Sequence, residues 1–215
     1  MSIDIAILVS GRGSNMQAIL DAIEADKLNA RVRCVFANTL NAPALSLAHK
    51  YGIMTAEVSH KGLTREQHET HLLDVLLPLG LDFVVLAGYM RVLSPAFLNN
   101  FADPAGYNRV INIHPSLLPA FPGAKAYEEA FAYGVRISGV TVHLAANDVD
   151  AGPILGQETF PRYENDTFEA FVNRGLEVEH KLYPRVLQQI AHHGIRLMPH
   201  SNREVFNSYR VVAGK

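Results

Sequence analysis

The sequence predicts an α/β protein: a Rossmann-like, doubly wound, mostly parallel sheet of about seven strands with helices on both faces. Three observations predict it. Short, nearly unbroken apolar runs recur, as strands buried on both faces of a parallel sheet require. Stretches with helical spacing lie between them, and glycine or proline marks many of the junctions. Ile3 to Val9 is the first such run, and Met16, Ile19, Leu20 and Ile23 then follow helical spacing beyond a glycine turn. Val32 to Ala37 is a second buried strand, completing a βαβ unit. A helix from about Pro43 stops near Gly52, and a short strand covers Met54 to Val58. Thr64 with Gln67 forms a capping-box signature for a third helix, which Gly80 closes. Phe83 to Leu86 is another buried strand, Ser94-Pro95 is an N-cap followed by a first-turn proline, and Val110 to Ile113 is again strand-like. Beyond Gly134, Val140, Val142 and Leu144 alternate with Thr141 and His143, which predicts a strand with one polar, exposed face. A strand from Ile154 to Phe160 and a long helix from about Thr167 to His193, kinked near Pro184, complete the pattern. The tail after Gly194 carries no clear pattern.

The chain has 215 residues, enough for one substantial core, so residues 1–195 read as a single domain followed by a tail, 196–215. No repeat or linker interrupts it. The net charge of −2, with both signs interspersed, offers no basic stripe for nucleic acid or an anionic membrane, which favours small-molecule partners. Cys34 is the only cysteine, so neither a disulfide framework nor a thiolate metal cluster is available, which fits a reducing compartment. Asp4 and the early end of the first apolar run, by Ser10, differ from a secretion signal. No stretch approaches the roughly 20 apolar residues of a membrane helix. A cytoplasmic location is expected.

Ligands of a doubly wound sheet bind beyond the carboxyl ends of its strands, so the loops after Val9, Leu86 and Ile113 are the places to look. The first is Ser10-Gly11-Arg12-Gly13-Ser14-Asn15, whose backbone amides at a helix N-terminus suit a phosphate. A tight βα turn with Ser14 or Asn15 as helix cap explains it equally. It is neither a dinucleotide fingerprint, since position 16 is Met, nor a P-loop. The second is Asn112-Ile113-His114-Pro115, where an amide and an imidazole share one face of a strand end. Together they suit a developing oxyanion and a proton transfer, although a capped strand end with a satisfied histidine is the simpler alternative. The third is Asp148-Val149-Asp150-Ala151-Gly152-Pro153, a turn whose carboxylate can orient His114; turn chemistry alone also accounts for it. His68-Glu69-Thr70-His71 is one residue short of a zincin spacing and reads as a solvated helix face, and Cys34 reads as core.

Taken together, these motifs resemble the phosphoribosylglycinamide formyltransferases, the folate-dependent enzymes of purine synthesis. The resemblance runs from Ile5 to about Leu187 and is carried by Gly11-Arg12-Gly13-Ser14-Asn15, Asn112 to Pro119 with Gly123, Gly139-Val140-Thr141-Val142-His143, and Asp148 to Pro153. It implies the formyltransferase fold, with an N-terminal phosphate-binding half and a C-terminal folate and catalytic half. It places catalysis on Asn112, His114 and Asp150. Substrate phosphate falls on Gly13, Ser14 and Asn15, and the ribose or glycinamide end on Glu179. Folate falls against Met90, Arg91, Val92 and Leu93, with Arg65 toward its glutamate tail and His143 in the same pocket, where an exposed strand position accounts for His143 equally. The implied co-substrate is 10-formyltetrahydrofolate, the acceptor glycinamide ribonucleotide, and no metal is implied; the chain would be a monomer or homodimer. The segment Asp103 to Asn108 looks longer than in the family, and Ala124-Lys125 falls in a variable loop.

The resemblance implies direct transfer. The amine attacks the formyl carbon, Asn112 and protonated His114 stabilise the oxyanion, and Asp150 orients His114 and helps carry the proton through a water. The closest rival is a formyltetrahydrofolate hydrolase with the same trio, which usually has an added N-terminal domain; here the first strand starts at residue 3. A transfer-RNA formyltransferase would need a further C-terminal domain. A nicotinamide oxidoreductase is disfavoured by Met16, and a ligand-binding sensor by the intact trio.

Overall fold

Alternate residues of the first strand enter two different cores. In the computed structural model, which describes residues 2–199 and 209–213, β1 (Ile3–Val9) sends Ile3, Ile5, Ile7 and Val9 to one face and Ala6 and Leu8 to the other. Ile5, Ile7 and Leu8 are completely buried, and each such side chain contributes about 1.5 to 3 kcal/mol of transfer free energy. The remaining elements follow in the order α1 (Ser14–Glu24), β2 (Ala30–Ala37), α2 (Pro43–Lys50), β3 (Thr55–Glu57), α3 (Arg65–Leu76), β4 (Phe83–Leu86) and α4 (Pro95–Asn99). Then come β5 (Ala102–Asp103), β6 (Tyr107–Asn108), β7 (Val110–His114), α5 (Ala126–Tyr133), β8 (Ile137–Leu144), β9 (Ile154–Pro161), α6 (Phe168–His193), β10 (Ile195–Pro199) and β11 (Tyr209–Ala213).

Seven strands form one sheet in the order β3-β2-β1-β4-β7-β8-β9. The first five are parallel, and β8 and β9 add antiparallel to that edge. The chain winds outward from β1 through β2 to β3, then returns to place β4 on the other side of β1. That reversal opens a crevice between the loops after β1 and β4. Residues of α1, α2, α5 and α6 join the core on one face, and residues of α3 and α4 join the core on the other.

Local signals match. Thr64 and Gln67 exchange the two hydrogen bonds of a capping box, and the Ser94 side chain caps α4. Gly80 ends a short 3-10 turn after α3 in the left-handed conformation. The Asp103 to Asn108 segment folds as the β5–β6 hairpin. Helix α6 runs through Pro184 as one element.

Four expectations change. The alternation Val140-Thr141-Val142-His143-Leu144 does not mark an exposed face: Thr141 is covered by the Ser116–Leu118 segment, His143 faces the cavity described below, and both are as buried as their apolar neighbours. His68 and Glu69 are likewise buried, with only His71 of that pair of histidines exposed. His68 Nε2 donates to the Val58 carbonyl at 3.1 Å, and Glu69 accepts from the Ser94 amide at 2.8 Å. No side chain caps α1; the N-cap is Gly13. The expected tail contains β10 and β11, paired antiparallel, while its residues 200–208 and 214–215 lie outside the described residues.

Tyr183 of α6, completely buried, ties the sheet together beneath the crevice. Its hydroxyl lies 3.0 Å from the Leu86 carbonyl at the end of β4 and 3.1 Å from the Ile111 carbonyl of β7. Tyr183→Phe removes the donor that both acceptors share, so the unfolding free energy from urea titration should fall by about 1 to 2 kcal/mol. An unchanged midpoint and slope would show that the hydroxyl contributes nothing.

Candidate active site

The loop after β1 is built to expose amides. Gly13 sits at the N-cap of α1 with φ of 78°, and a Cβ there would lie 2.7 Å from Ala44 Cβ, so a side chain is excluded by conformation and by contact. With no side-chain cap, the Ser14 and Asn15 amides keep their hydrogens free among the described residues and face outward at the positive end of the helix dipole. Ser10 fastens this loop to the one after β4: its amide donates to Gly88 O at 3.1 Å and its hydroxyl accepts from the Met90 amide at 2.7 Å.

Asn15 turns the other way, into the protein. Its Nδ2 donates to Glu179 Oε2 at 2.5 Å, and its Oδ1 is buried without a partner among the described residues. Glu179 is itself buried on α6 and accepts at Oε1 from the Tyr127 hydroxyl at 2.7 Å. Burial raises the pKa of Tyr127 well above the ordinary phenol value, and the neighbouring Glu179 charge and hydrogen bond raise it further. The phenol therefore stays a neutral donor.

Asn112 and His114, two residues apart on β7, point to the same side, and β8 brings His143 opposite Asn112 and Thr141 opposite His114. Thr141 organises the chain after β7: its hydroxyl donates to Ser116 O at 2.7 Å and accepts from the Leu118 amide at 3.1 Å. The segment 119–133 is then defined, with a cis Leu118-Pro119 bond and a turn that leads into α5. That turn returns to the histidine, since Phe121 O lies 2.8 Å from His114 Nε2.

Asp150 completes the group from the β8–β9 turn, with φ of 56° and a side chain only 8% exposed. Oδ2 accepts from the Gly123 amide at 2.8 Å and lies 3.4 Å from His114 Nδ1, and Oδ1 lies 3.6 Å from His143 Nε2. Both nitrogens of His114 thus face acceptors, the Phe121 carbonyl and the Asp150 carboxylate, so its ring can donate from both only as the imidazolium. His143 Nδ1 lies 3.0 Å from the Leu144 carbonyl, and its Nε2, which faces Asp150, also lies 3.2 Å from Asn112 Nδ2. Burial of Asp150 favours the protonated acid, but the hydrogen bond to His143, the Gly123 amide and the charges of His114 and His143 together hold its pKa below the ordinary value.

A single cavity of about 330 Å³ is lined by Asn15, Glu179, Asn112, His114, His143 and Asp150, and also by Tyr89, Met90, Arg91, Val92 and Leu93. That size suits a small-molecule site. Gly13 and Ser14 adjoin it through Asn15 without lining it. Arg65, exposed at the start of α3, stands outside it, and Asp148 is exposed. No cluster of three or more His, Cys, Asp or Glu side chains able to hold a metal occurs among the described residues. Sequence reasoning placed Ser10 in the first loop without its cross-link to the second, and missed the Phe121 carbonyl and Tyr127. Only Tyr127 left a signal, in Gly175, a glycine inside α6 one turn before Glu179.

A doubly wound sheet with an amide, an imidazole and a carboxylate converging at its switch point defines a group-transfer enzyme, and the chain belongs to the formyl transferase family, whose profile matches residues 3–187. Within that family it is 36% identical to the phosphoribosylglycinamide formyltransferase of Escherichia coli strain K12, over 97% of this chain and 95% of that protein. It is 39% identical to the trifunctional purine biosynthetic protein adenosine-3 of Bos taurus over 90% of this chain, yet spans 19% of that longer protein. The structure superposes on glycinamide ribonucleotide transformylase 1 from Symbiobacterium toebii with a TM-score of 0.86 and 36% identity, covering 98% of this chain and 94% of that one.

The Asp150 environment sets a pH dependence of stability. A carboxylate with a depressed folded-state pKa stabilises the fold at all pH above its ordinary value of 3.8, and this contribution is lost as pH falls through the folded value. Between about pH 6 and about pH 3, the urea midpoint of the native protein should therefore fall further than that of Asp150→Asn. Equal losses in both proteins would refute the linkage.

Proposed function

We propose that the chain transfers the formyl group of 10-formyltetrahydrofolate to the amine of glycinamide ribonucleotide, giving formylglycinamide ribonucleotide and tetrahydrofolate in de novo purine biosynthesis. One observation carries this reading: Asn112, His114 and Asp150 open onto the same cavity as the Asn15–Glu179 pair beside the free amides of α1. An anion, a polar sugar end and a reacting amine can thus be held at once.

Substrate phosphate binds the Ser14 and Asn15 amides beyond Gly13, where the helix dipole favours a negative charge. Glu179 receives the ribose or glycinamide end. The folate lies against Met90, Arg91, Val92 and Leu93, with His143 in the same pocket. Arg65, exposed and outside the cavity, suits a glutamate tail that extends into solvent. The amine nitrogen attacks the formyl carbon, and the resulting tetrahedral oxyanion is met by Asn112 Nδ2 and stabilised by the adjacent positive charge of the His114 imidazolium. Asp150 keeps that imidazolium oriented. As the carbon–nitrogen bond to folate breaks, the proton from the attacking amine passes through a water near Asp150 to the departing nitrogen. Fixing both reactants in one cavity supplies much of the acceleration.

We assign residues 1–195 to a single domain with an N-terminal phosphate-binding half and a C-terminal folate and catalytic half, and 196–215 to a tail. It acts in the cytoplasm as a monomer or homodimer on small molecules alone, without metal, nucleic acid or membrane. The net charge of −2, with both signs interspersed, favours small-molecule partners, and no described helix is long and apolar enough to cross a membrane.

Spectral conversion of 10-formyltetrahydrofolate to tetrahydrofolate should require glycinamide ribonucleotide. Turnover without the amine would reassign the protein as a formyltetrahydrofolate hydrolase, and no turnover in either case would reject the proposal. Asp150→Asn should slow transfer roughly 10²-fold with little change in folate affinity. An unimpaired variant would remove Asp150 from the mechanism.

A further inference from the structure

We propose that Tyr127 is a positioning residue for the acceptor substrate, holding the Glu179 carboxylate in the orientation that receives its sugar or amide end. The inference rests on the role assigned to Glu179 above. Tyr127 does not line the cavity; it touches the side chain that does.

A carboxylate offers about four lone-pair directions over its two oxygens. In Glu179 one direction on Oε1 is taken by the Tyr127 hydroxyl and one on Oε2 by Asn15 Nδ2, so the group is pinned at both oxygens and two directions remain for a ligand. Beside it, Asn15 Oδ1 is a buried acceptor without a partner. Two open directions on a fixed carboxylate and one orphaned carbonyl oxygen form an acceptor array matched to a ligand rich in donors, such as a vicinal diol or an amine beside an amide N–H. Without Tyr127, Glu179 could turn about its last torsion and the array would lose its fixed geometry.

Helix α6 has been shaped to admit this hydroxyl. Gly175 lies four residues before Glu179, on the same face, and a Cβ there would lie 2.3 Å from the Tyr127 oxygen and 2.5 Å from Cε1. Glycine is less favourable than alanine inside a helix, so the position gives up helix stability to make room for the phenol. The ring has its own support, edge-on to the fully buried Phe171 at 6.0 Å between centroids. Removing the hydroxyl alone therefore leaves the packing in place.

Steady-state kinetics on the full chain tests this with Tyr127→Phe, Glu179→Ala and the double variant. Tyr127→Phe should raise KM for glycinamide ribonucleotide about tenfold, the scale of one hydrogen bond to a charged group, with KM for 10-formyltetrahydrofolate unchanged and kcat within about twofold. In the Glu179→Ala background the same change should add less than about twofold, because the group it positions is gone. An unchanged KM in Tyr127→Phe, or an equal effect in both backgrounds, would overturn the inference while leaving Glu179 in place. An unchanged KM in Glu179→Ala would overturn the assigned role of Glu179 and this inference with it. Should Tyr127→Phe fail to fold, Gly175→Ala displaces the same hydroxyl from the other side. It should raise the same KM, and an unchanged value would refute the proposal.

Discussion

Strand β1 has β2 on one side and β4 on the other, and the loops leaving its end and that of β4 diverge over opposite faces of the sheet. The cavity opens at the gap between them. Every side chain in the site is placed with respect to that gap. The α1 amides border it from one side and the Met90–Leu93 segment from the other, while β7, the next strand beyond β4, delivers Asn112 and His114. Fully buried apolar residues beneath, Ile5, Ile7, Leu8, Val84 and Val85, fix these strand ends. The chemistry is thus positioned by a core that takes no part in it.

The polar groups in the gap are buried, and an isolated buried charge is costly. The protein answers by pairing each of its two carboxylates there more than once. Asp150 has the Gly123 amide and two imidazoles, and Glu179 has a phenol and a carboxamide. Residues 121–127 contribute to both, since Phe121 faces His114, Gly123 binds Asp150 and Tyr127 binds Glu179. A short stretch of chain therefore sets both the proton-handling pair and the carboxylate beside it.

How much of this was legible in the sequence depended on whether the signal was local. The buried strands, the Thr64–Gln67 capping box and the Ser94 cap were readable because propensity and tertiary structure agree there. The positions of Asn112, His114 and Asp150 in one crevice followed from strand order and matching motifs. His143 was half legible: alternation along β8 gave its face correctly but not its burial, because alternation cannot tell a polar face turned to water from one turned into a site. His68 and Glu69 misled for the converse reason, since a polar run on a helix looks solvated even where its partners, Val58 O and Ser94, lie on other elements. Tyr127 left only an indirect trace, Gly175, because the two meet across some 50 residues of chain.

Ser10 belongs to the loop after β1 yet is bonded through both amide and hydroxyl to the loop after β4, at Gly88 and Met90. The two borders of the cavity are consequently one part rather than two. Loops transplanted singly between related proteins would arrive with half of this seam missing. A chimera that redesigns the Met90–Leu93 wall must carry the residue at position 10 with it, so natural or engineered divergence of one wall is tied to that of the other.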